Sequence, residues 1–342
     1  MTLNSSDVPG PVLVMGAGAV GCYIGGCLAA AGVPVTFVGR PRVLQALAGH
    51  GLTLTDLDGA RRVVPAAQLS LSEAVPAGMR PALVLLCVKG GATGDAARQL
   101  AAALPAGMVV LSLQNGVGNA DTAGQAAPAL RALPGMVPYN VAELSPGAWH
   151  RGTDGELAAP QDAALAPWVP VFAKAGVPLA LVPDIKAVQW GKLLINLNNP
   201  VNALSRLPLQ GEFMHAGWRR CFAGLMEEGL EVLEAAGIQP AQFGALPQRR
   251  LMALLRLPDE QFATVGAPLL RIDPQARSSM ADDLALGRRT EVDMLCGEVV
   301  RLARRHGVQA PRNARMVELL DGGWPAPPPV LTADEVLGAL GL

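Results

Sequence analysis

Lys192, Asn196 and Asn199 recur at i, i+4 and i+7 within the apolar run VQWGKLLINLNNPVNAL. At 3.6 residues per turn these three polar side chains share one stripe, while Leu193, Leu194, Leu197, Val201 and Leu204 point largely the other way. Pro200 has no backbone N–H, so the carbonyl of Asn196 loses its helical partner and the helix is expected to kink beside the amides. An amine, two amides and a freed carbonyl would then face one space. That set of groups suits the protonation of an oxygen on which negative charge is developing. The plainer reading of Lys192 is a side chain that snorkels to water along its stem.

Lysine is scarce here. Of 27 Lys and Arg residues only Lys89, Lys174, Lys186 and Lys192 are lysines, so arginine supplies most of the positive charge. Arginine does not release a proton near neutral pH, whereas burial and neighbouring charge can tune a lysine into a proton donor. Lys89 and Lys192 both stand in apolar stretches. The asparagine stripe sets Lys192 apart, while Lys89 alone reads equally well as functional or as snorkelling.

The elements that must position these residues follow from length and pattern. A chain of 342 residues suggests two domains, placed at 1–183 and 184–342. PVLVM reads as a short strand, GAGAVG as a turn, and AVGCYIGGCLAAAG as a helix ended by Gly32. In that setting Gly16, Ala17, Gly18, Ala19, Val20 and Gly21 form the G-x-G-x-x-G dinucleotide fingerprint. Gly16 permits the tight turn, Gly18 lets a pyrophosphate approach the backbone, and Gly21 lets helix and strand pack closely. The free N–H groups and positive dipole end of the helix would hold the phosphates. The uncharged stretch Val12–Val33 also carries a GxxxG spacing at Gly21 and Gly25, but its early glycines argue against a membrane helix.

The next strand, VPVTFVGR, ends in Gly39 and Arg40 where an NAD-binding domain usually carries an acid. Arg42 follows, and no nearby carboxylate in the sequence would repel a third phosphate, so NADP is the expected cofactor. Strand ALVLLCV leads to Lys89, a helix follows near Gly94 to Leu104, and strand MVVLSL leads to Gln114, Asn115 and Gly116. Strands alternating with helices predict a parallel sheet, with Gly16, Arg40, Lys89 and Asn115 all at strand carboxyl ends, where such sheets bind ligands. After Leu133, MVPYNVAEL, PGAWHRG and GELAAP read as an antiparallel extension. A helix near Ala163 to Lys174 and strand PLALV follow. From Ile185 onward the patterns are helical: the Lys192 helix, His215 to Ala236 closed by Gly237, pieces from Ala241 to Ala263, and a long element near Ser278 to His306. The fold class is therefore α/β, a parallel-sheet domain followed by an all-α domain. Leu257 to Arg277 is the least defined stretch, and the last twenty residues read as a proline tether and a helix capped by Thr332.

A formal net charge of −1 gives no basic footprint for nucleic acid or for an anionic membrane surface. Cys22, Cys27, Cys87, Cys221 and Cys296 are scattered without C-x-x-C spacing. That favours a reducing cytoplasm and no metal site. MTLNSSDVPGP lacks the features of a secretion signal and reads as a short lead-in.

GAGAVG, VGR, VKG, QNG, W-x-KL-x-x-N, SSM and TEVD, in that order over most of the chain, resemble the ketopantoate reductase (2-dehydropantoate 2-reductase) family. The resemblance implies a Rossmann-type domain followed by a helical domain, and reduction of a small 2-keto acid by NADPH, as in pantothenate and coenzyme A biosynthesis. It implies Lys192 as proton donor, Asn115 where cofactor and substrate meet, and Lys89 lining the same place. Asn196, Asn199 and Ser279 would hold substrate, and Glu291 of TEVD would contact the cofactor or orient the acid. Burial and a neighbouring Lys89 would lower the Lys192 pKa, and Glu291 would raise it.

Two features depart from the family pattern. The second amide can follow the lysine by eight residues, which here is Pro200, leaving Asn199 or Asn198 as the candidate. A third amide matches Gln210 only loosely in PLQGE. Ser279 and Glu291 are twelve residues apart, so either Gly287 interrupts their helix or they serve different ends of the bound assembly. Glu291 by itself reads as an ion-pair partner of Arg288 or Arg289. A paralogous reductase of another 2-keto or 3-hydroxy acid is the second reading, and a module that senses NADP without turnover is the third. Oligomeric state is left open, a homodimer included.

Overall fold

The computed structural model describes residues 7–267, 276–321 and 330–342. The N-terminal lead-in up to residue 6, residues 268–275 of the ill-defined stretch, and the proline tether at 326–329 lie outside the described residues. The chain divides into two compact units, Met1–Ile185 and Lys186–Leu342.

In chain order the first unit runs β1 (Val12–Met15), α1 (Ala19–Ala30), β2 (Val35–Val38), α2 (Pro41–His50), β3 (Leu52–Asp56), β4 (Arg61–Val64), β5 (Ser70–Ser72), β6 (Leu83–Leu86), α3 (Thr93–Ala103), β7 (Val109–Ser112), α4 (Asn119–Ala126) and β8 (Arg131–Pro134). It continues with β9 (Val141–Ser145), β10 (Ala148–Arg151), β11 (Leu157–Pro160), α5 (Val169–Lys174) and β12 (Leu179–Val182). Six strands form one all-parallel sheet in the order β5-β2-β1-β6-β7-β8. Counted along the chain that order is 3-2-1-4-5-6, the doubly wound arrangement.

Buried apolar runs make these strands two-faced. In β1, Val12 and Val14 enter one core with Tyr23, Ile24 and Leu28 of α1, while Leu13 and Met15 enter a second core with Ala96, Ala97 and Leu100 of α3. Leu83 and Leu85 of β6 join the first core and Val84 and Leu86 the second, the period of two that a covered parallel strand requires. Gly25 and Gly26 allow α1 to lie close on both sides. A Cβ on Gly25 would meet Phe37 and Val14, and one on Gly26 would meet Leu54 of β3. The GxxxG spacing thus serves packing within the domain. Among the described residues no helix is long and apolar enough to cross a membrane.

The expected antiparallel extension is instead mixed. β3 pairs antiparallel with β4 and β9 with β10, but β10 pairs parallel with β3, and β11 pairs parallel with β12. The hairpins at 52–64 and 141–151 come from distant stretches of sequence, so local turn signals could not reveal their parallel union. β8, which begins that region, is the sixth strand of the main sheet.

The second unit is helical: α6 (Ile185–Asn196), α7 (Asn198–Ser205), α8 (Leu209–Phe213), α9 (Ala216–Ala235), α10 (Gln248–Leu255), α11 (Ser279–Ala285), α12 (Val292–Arg305), α13 (Pro311–Asp321) and α14 (Ala333–Leu340). α9 packs against α7, α8, α10, α12, α13 and α14. Gly229 of α9 faces Leu194 and Leu197, which lets it lie close on the lysine-bearing segment. The element expected near Ser278 to His306 is two helices, interrupted where Gly287 takes φ +63°. Thr332 caps α14 through a full capping box with Glu335.

Beyond α10, a turn at Asp259–Gln261 leads into a π-helical turn at Phe262–Gly266. Arg219 of α9, buried to 1% exposure, anchors this segment. Its guanidinium donates to the carbonyls of Phe213 (2.7 Å), Leu255 (3.1 Å) and Leu257 (2.6 Å), pairs with Asp259 at 2.9 Å, and lies 4.2 Å above the Phe262 ring.

Candidate active site

On the first unit the fingerprint turn is fixed by its neighbours. The N–H groups of Gly16 and Ala17 both donate to the Val38 carbonyl at 3.0 and 2.9 Å, tying the turn to the end of β2. Gly16 has φ +112°, and a Cβ there would lie 2.6 Å from the backbone nitrogen of Val88. A Cβ on Gly21 would lie 2.2 Å from the Gly16 carbonyl oxygen. Above Gly18 nothing lies within 4 Å of where a Cβ would stand. The first turn of α1 carries no acidic side chain, and its N-cap makes no side-chain bond. Open space over helix-start N–H groups is the arrangement that a pyrophosphate requires.

Lys89 directly follows Val88 at the end of β6, and Asn115 follows Gln114 beyond β7. One network joins them, centred on Gln114, which is 7% exposed. The Gln114 Nε2 donates to the Val88 carbonyl at 2.9 Å and to Thr93 Oγ1 at 2.7 Å, while its Oε1 accepts from Ser112 Oγ at 2.8 Å. Thr93 donates in turn to Asn119 Oδ1 at 3.3 Å, and Asn119 Nδ2 donates to the Asn115 carbonyl at 2.8 Å. In the sequence Gln114 is only the first letter of QNG, and no local pattern marks Thr93 or Asn119. Asn115 is half-buried and Lys89 exposed.

Arg40 is the exposed N-cap of α2, and Arg42 is exposed within its first turn. The strand order also brings beside them a stretch of backbone that the local sequence does not show. β5 pairs parallel with β2, Ser72 opposite Val38, and the Gly39 N–H donates to the Ser72 carbonyl at 3.2 Å. Glu73 therefore leaves the sheet beside Gly39 and Arg40. It is remote in sequence and adjacent only because strands three apart in order became neighbours.

On the second unit, α6 ends at Asn196 and α7 restarts at Asn198, so the helix breaks where Pro200 withholds a donor from Asn196. Leu193, Leu194, Leu197, Val201 and Leu204 are buried, and Lys192, Asn196 and Asn199 are partly accessible. Burial of its ammonium lowers the Lys192 pKa to about 8, and the Glu291 carboxylate opposes that shift. Glu291 is the half-buried N-cap residue of α12. A lysine so placed holds its proton at neutral pH yet releases it readily.

Ser279 is the exposed first residue of α11, and its neighbour Ser278 is the buried N-cap. Ser278 Oγ donates to the Asn199 carbonyl at 3.2 Å, so Asn199 and Ser279 sit on either side of one link. Gln210 is exposed on α8. Among the described residues no group of His, Cys, Asp and Glu could hold a metal ion.

Residues 12–162 match the family model described as ketopantoate reductase PanE/ApbA, and residues 184–323 match the model of its C-terminal domain. The 2-dehydropantoate 2-reductase of Halobacterium salinarum is 30% identical over 317 residues, covering 90% of this chain and 97% of the relative. A crystal structure of a PanE/ApbA family ketopantoate reductase from Ralstonia eutropha JMP134 superposes with TM-score 0.75 at 32% identity, covering 91% of this chain and 97% of that one. D-mandelate dehydrogenase, in its ternary structure with NADH and anilino(oxo)acetate, shares the fold at TM-score 0.74 and 18% identity, over 91% and 97% of the two chains.

Proposed function

Because the chain belongs to the ketopantoate reductase family, oxidoreductases that act on CH–OH groups with a nicotinamide cofactor, we propose that it reduces 2-dehydropantoate to pantoate with NADPH. Lys192 is the proton donor of this reading, and the observation that carries it is its place on α6 in line with Asn196 and Asn199 and among buried leucines, where burial lowers its pKa and Glu291 opposes that shift.

The fingerprint Gly16, Ala17, Gly18, Ala19, Val20 and Gly21 holds the pyrophosphate, with Lys89 and Asn115 at the neighbouring strand ends. Arg40 and Arg42, exposed at the end of β2, support a 2′-phosphate and hence NADPH. When bound, the reduced nicotinamide supplies hydride to the keto carbon. As charge grows on the carbonyl oxygen, the Lys192 ammonium first neutralises it and then transfers a proton to it, leaving a hydroxyl and a neutral amine. Glu291 favours the charged ammonium and so keeps the donor loaded before each turnover. Asn196, Asn199 and Ser279 orient the keto acid without adding charge. Asn199 is preferred to Asn198 as the second amide, because Asn198 is buried and its side chain is engaged with Glu212.

The seven-residue spacing from Lys192 to Asn199, one shorter than the family pattern, favours as second reading a reductase of another 2-keto acid. Absorbance of NADPH followed with ketopantoate, then with other keto acids, separates the readings. Ketopantoate turned over best is the expected result. Turnover no better than that of a generic keto acid supports the second reading, and NADPH binding without oxidation overturns both.

A further inference from the structure

Beneath the Asn199 and Ser279 backbone lies a buried carboxyl that the proposed chemistry does not use. Glu212 of α8 is 1% exposed, and its Oε2 accepts from Asn202 Nδ2 at 2.6 Å. Its Oε1 is buried without a hydrogen-bond partner, and so is Oδ1 of Asn198, whose amide is the other group within reach of the carboxyl. With Glu212 ionised, a buried charge would stand beside two buried acceptor atoms, Oε1 and Asn198 Oδ1, that find no partner. A proton on Oε1 removes the buried charge and turns that oxygen from a stranded acceptor into a donor.

Asn202, fully buried, carries the link onward. Its Nδ2 also donates to the Leu207 carbonyl at 3.0 Å, and its Oδ1 accepts the Ser278 N–H at 2.9 Å. Ser278 Oγ then accepts the Ala281 N–H at 3.1 Å, capping α11, and donates to the Asn199 carbonyl. Two of the three residues that the proposed function turns toward substrate are thus one step from this network: Asn199 beside Asn198, and Ser279 beside Ser278.

We propose that Glu212 is held as a neutral carboxylic acid and acts, with Asn202 and Ser278, as the positioning hub that sets Asn199 and Ser279 for the keto acid. This rests on the reading of those two residues given above. Burial raises the Glu212 pKa to about 8, opposed only by the hydrogen bonds from Asn202 and Asn198. The titratable or charged groups of α9 nearest to it do not ionise it. Cys221 is itself pushed up to about 12 by burial, Arg219 spends its guanidinium on the contacts given above, and His215 Nδ1 accepts from the Gly217 N–H. The groups that reach the carboxyl from α7 are the uncharged amides of Asn198 and Asn202, and at the start of α11 the Ser278 hydroxyl is spent on the Asn199 carbonyl.

Glu212→Gln preserves one donor and one acceptor, and Glu212→Ala removes both. At pH 7, Glu212→Gln is expected to keep the KM for the keto acid within about twofold of wild type. Glu212→Ala is expected to raise it about tenfold or more, with kcat and NADPH affinity changed far less. A second readout needs no activity. An acid whose pKa is raised in the folded state costs stability as pH rises from the unfolded value of about 4.5 to the folded value of about 8. The thermal midpoint of Glu212→Gln should therefore gain on wild type progressively across that window. A Glu212→Gln variant with an Ala-like KM, or with a midpoint difference that stays flat from pH 5 to pH 8, overturns the proposal. If wild type oxidises no NADPH, the proposed function fails by itself and the pH dependence of unfolding still decides the state of Glu212.

Discussion

Replacing Gln114 by Leu removes the three hydrogen bonds that join the ends of β6 and β7 to α3 while keeping side-chain bulk. The partners left behind differ in cost. Ser112 Oγ is buried and loses its acceptor, Thr93 Oγ1 is buried but retains the 3.3 Å bond to Asn119, and the half-buried Val88 carbonyl can take water. Stranding a buried polar group costs about 1–3 kcal/mol, so one full loss and two partial ones give about 2–4 kcal/mol. The same substitution frees the Val88 carbonyl before Lys89 and, by releasing Thr93, loosens the Asn119 that holds the Asn115 carbonyl. NADPH affinity should then fall about tenfold or more, with kcat at saturation reduced less. Urea unfolding of Gln114→Leu against wild type gives the first number, and fluorescence titration with NADPH gives the second. Destabilisation below about 1 kcal/mol with unchanged NADPH affinity would refute the claim that this network positions the cofactor-facing residues.

The pH dependence of kcat should be flat below, and fall about tenfold per unit above, a pKa of about 8, because the donor must carry its proton and Lys192 loses it there. A rate that holds to pH 9.5 contradicts this. Arg40→Asp should lower the NADPH-to-NADH ratio of kcat/KM by about 10–100-fold, the loss of a charged hydrogen-bonded contact, and Glu73→Gln should raise it. An unchanged ratio in both variants would place the selectivity elsewhere. Gly21→Ala should lose about 1–3 kcal/mol and much of its NADPH affinity, since the new methyl would press on the Gly16 carbonyl, and thermal melts with and without NADPH check it.

Local chemistry was readable in the sequence wherever a single residue type dictates backbone behaviour. The strand, turn and helix of GAGAVG, the break that Pro200 causes after Asn196, the interruption at Gly287 and the Thr332 cap are all of this kind. The apolar face opposite Lys192 was readable because helical periodicity and burial agree over that run. Contacts made by topology were hidden. Glu73 reaches Gly39 only through a parallel pairing, and β3 meets β10 across about ninety residues of chain. Buried polar partners were hidden for a related reason. Asn202 in NALS and Glu212 in QGEF look like surface residues of a short helix until α7, α8 and the start of α11 enclose them. The role of Gln114 likewise depends on Val88 and Thr93 arriving from another strand and helix.

The account stands on proton delivery by Lys192, and steady-state turnover of Lys192→Ala with NADPH and ketopantoate tests it most directly. A general acid contributes about 10²–10⁴-fold, so kcat should fall by that factor while NADPH still binds within about threefold of wild type. A variant that binds NADPH and turns over within about threefold of the wild-type kcat would contradict the account.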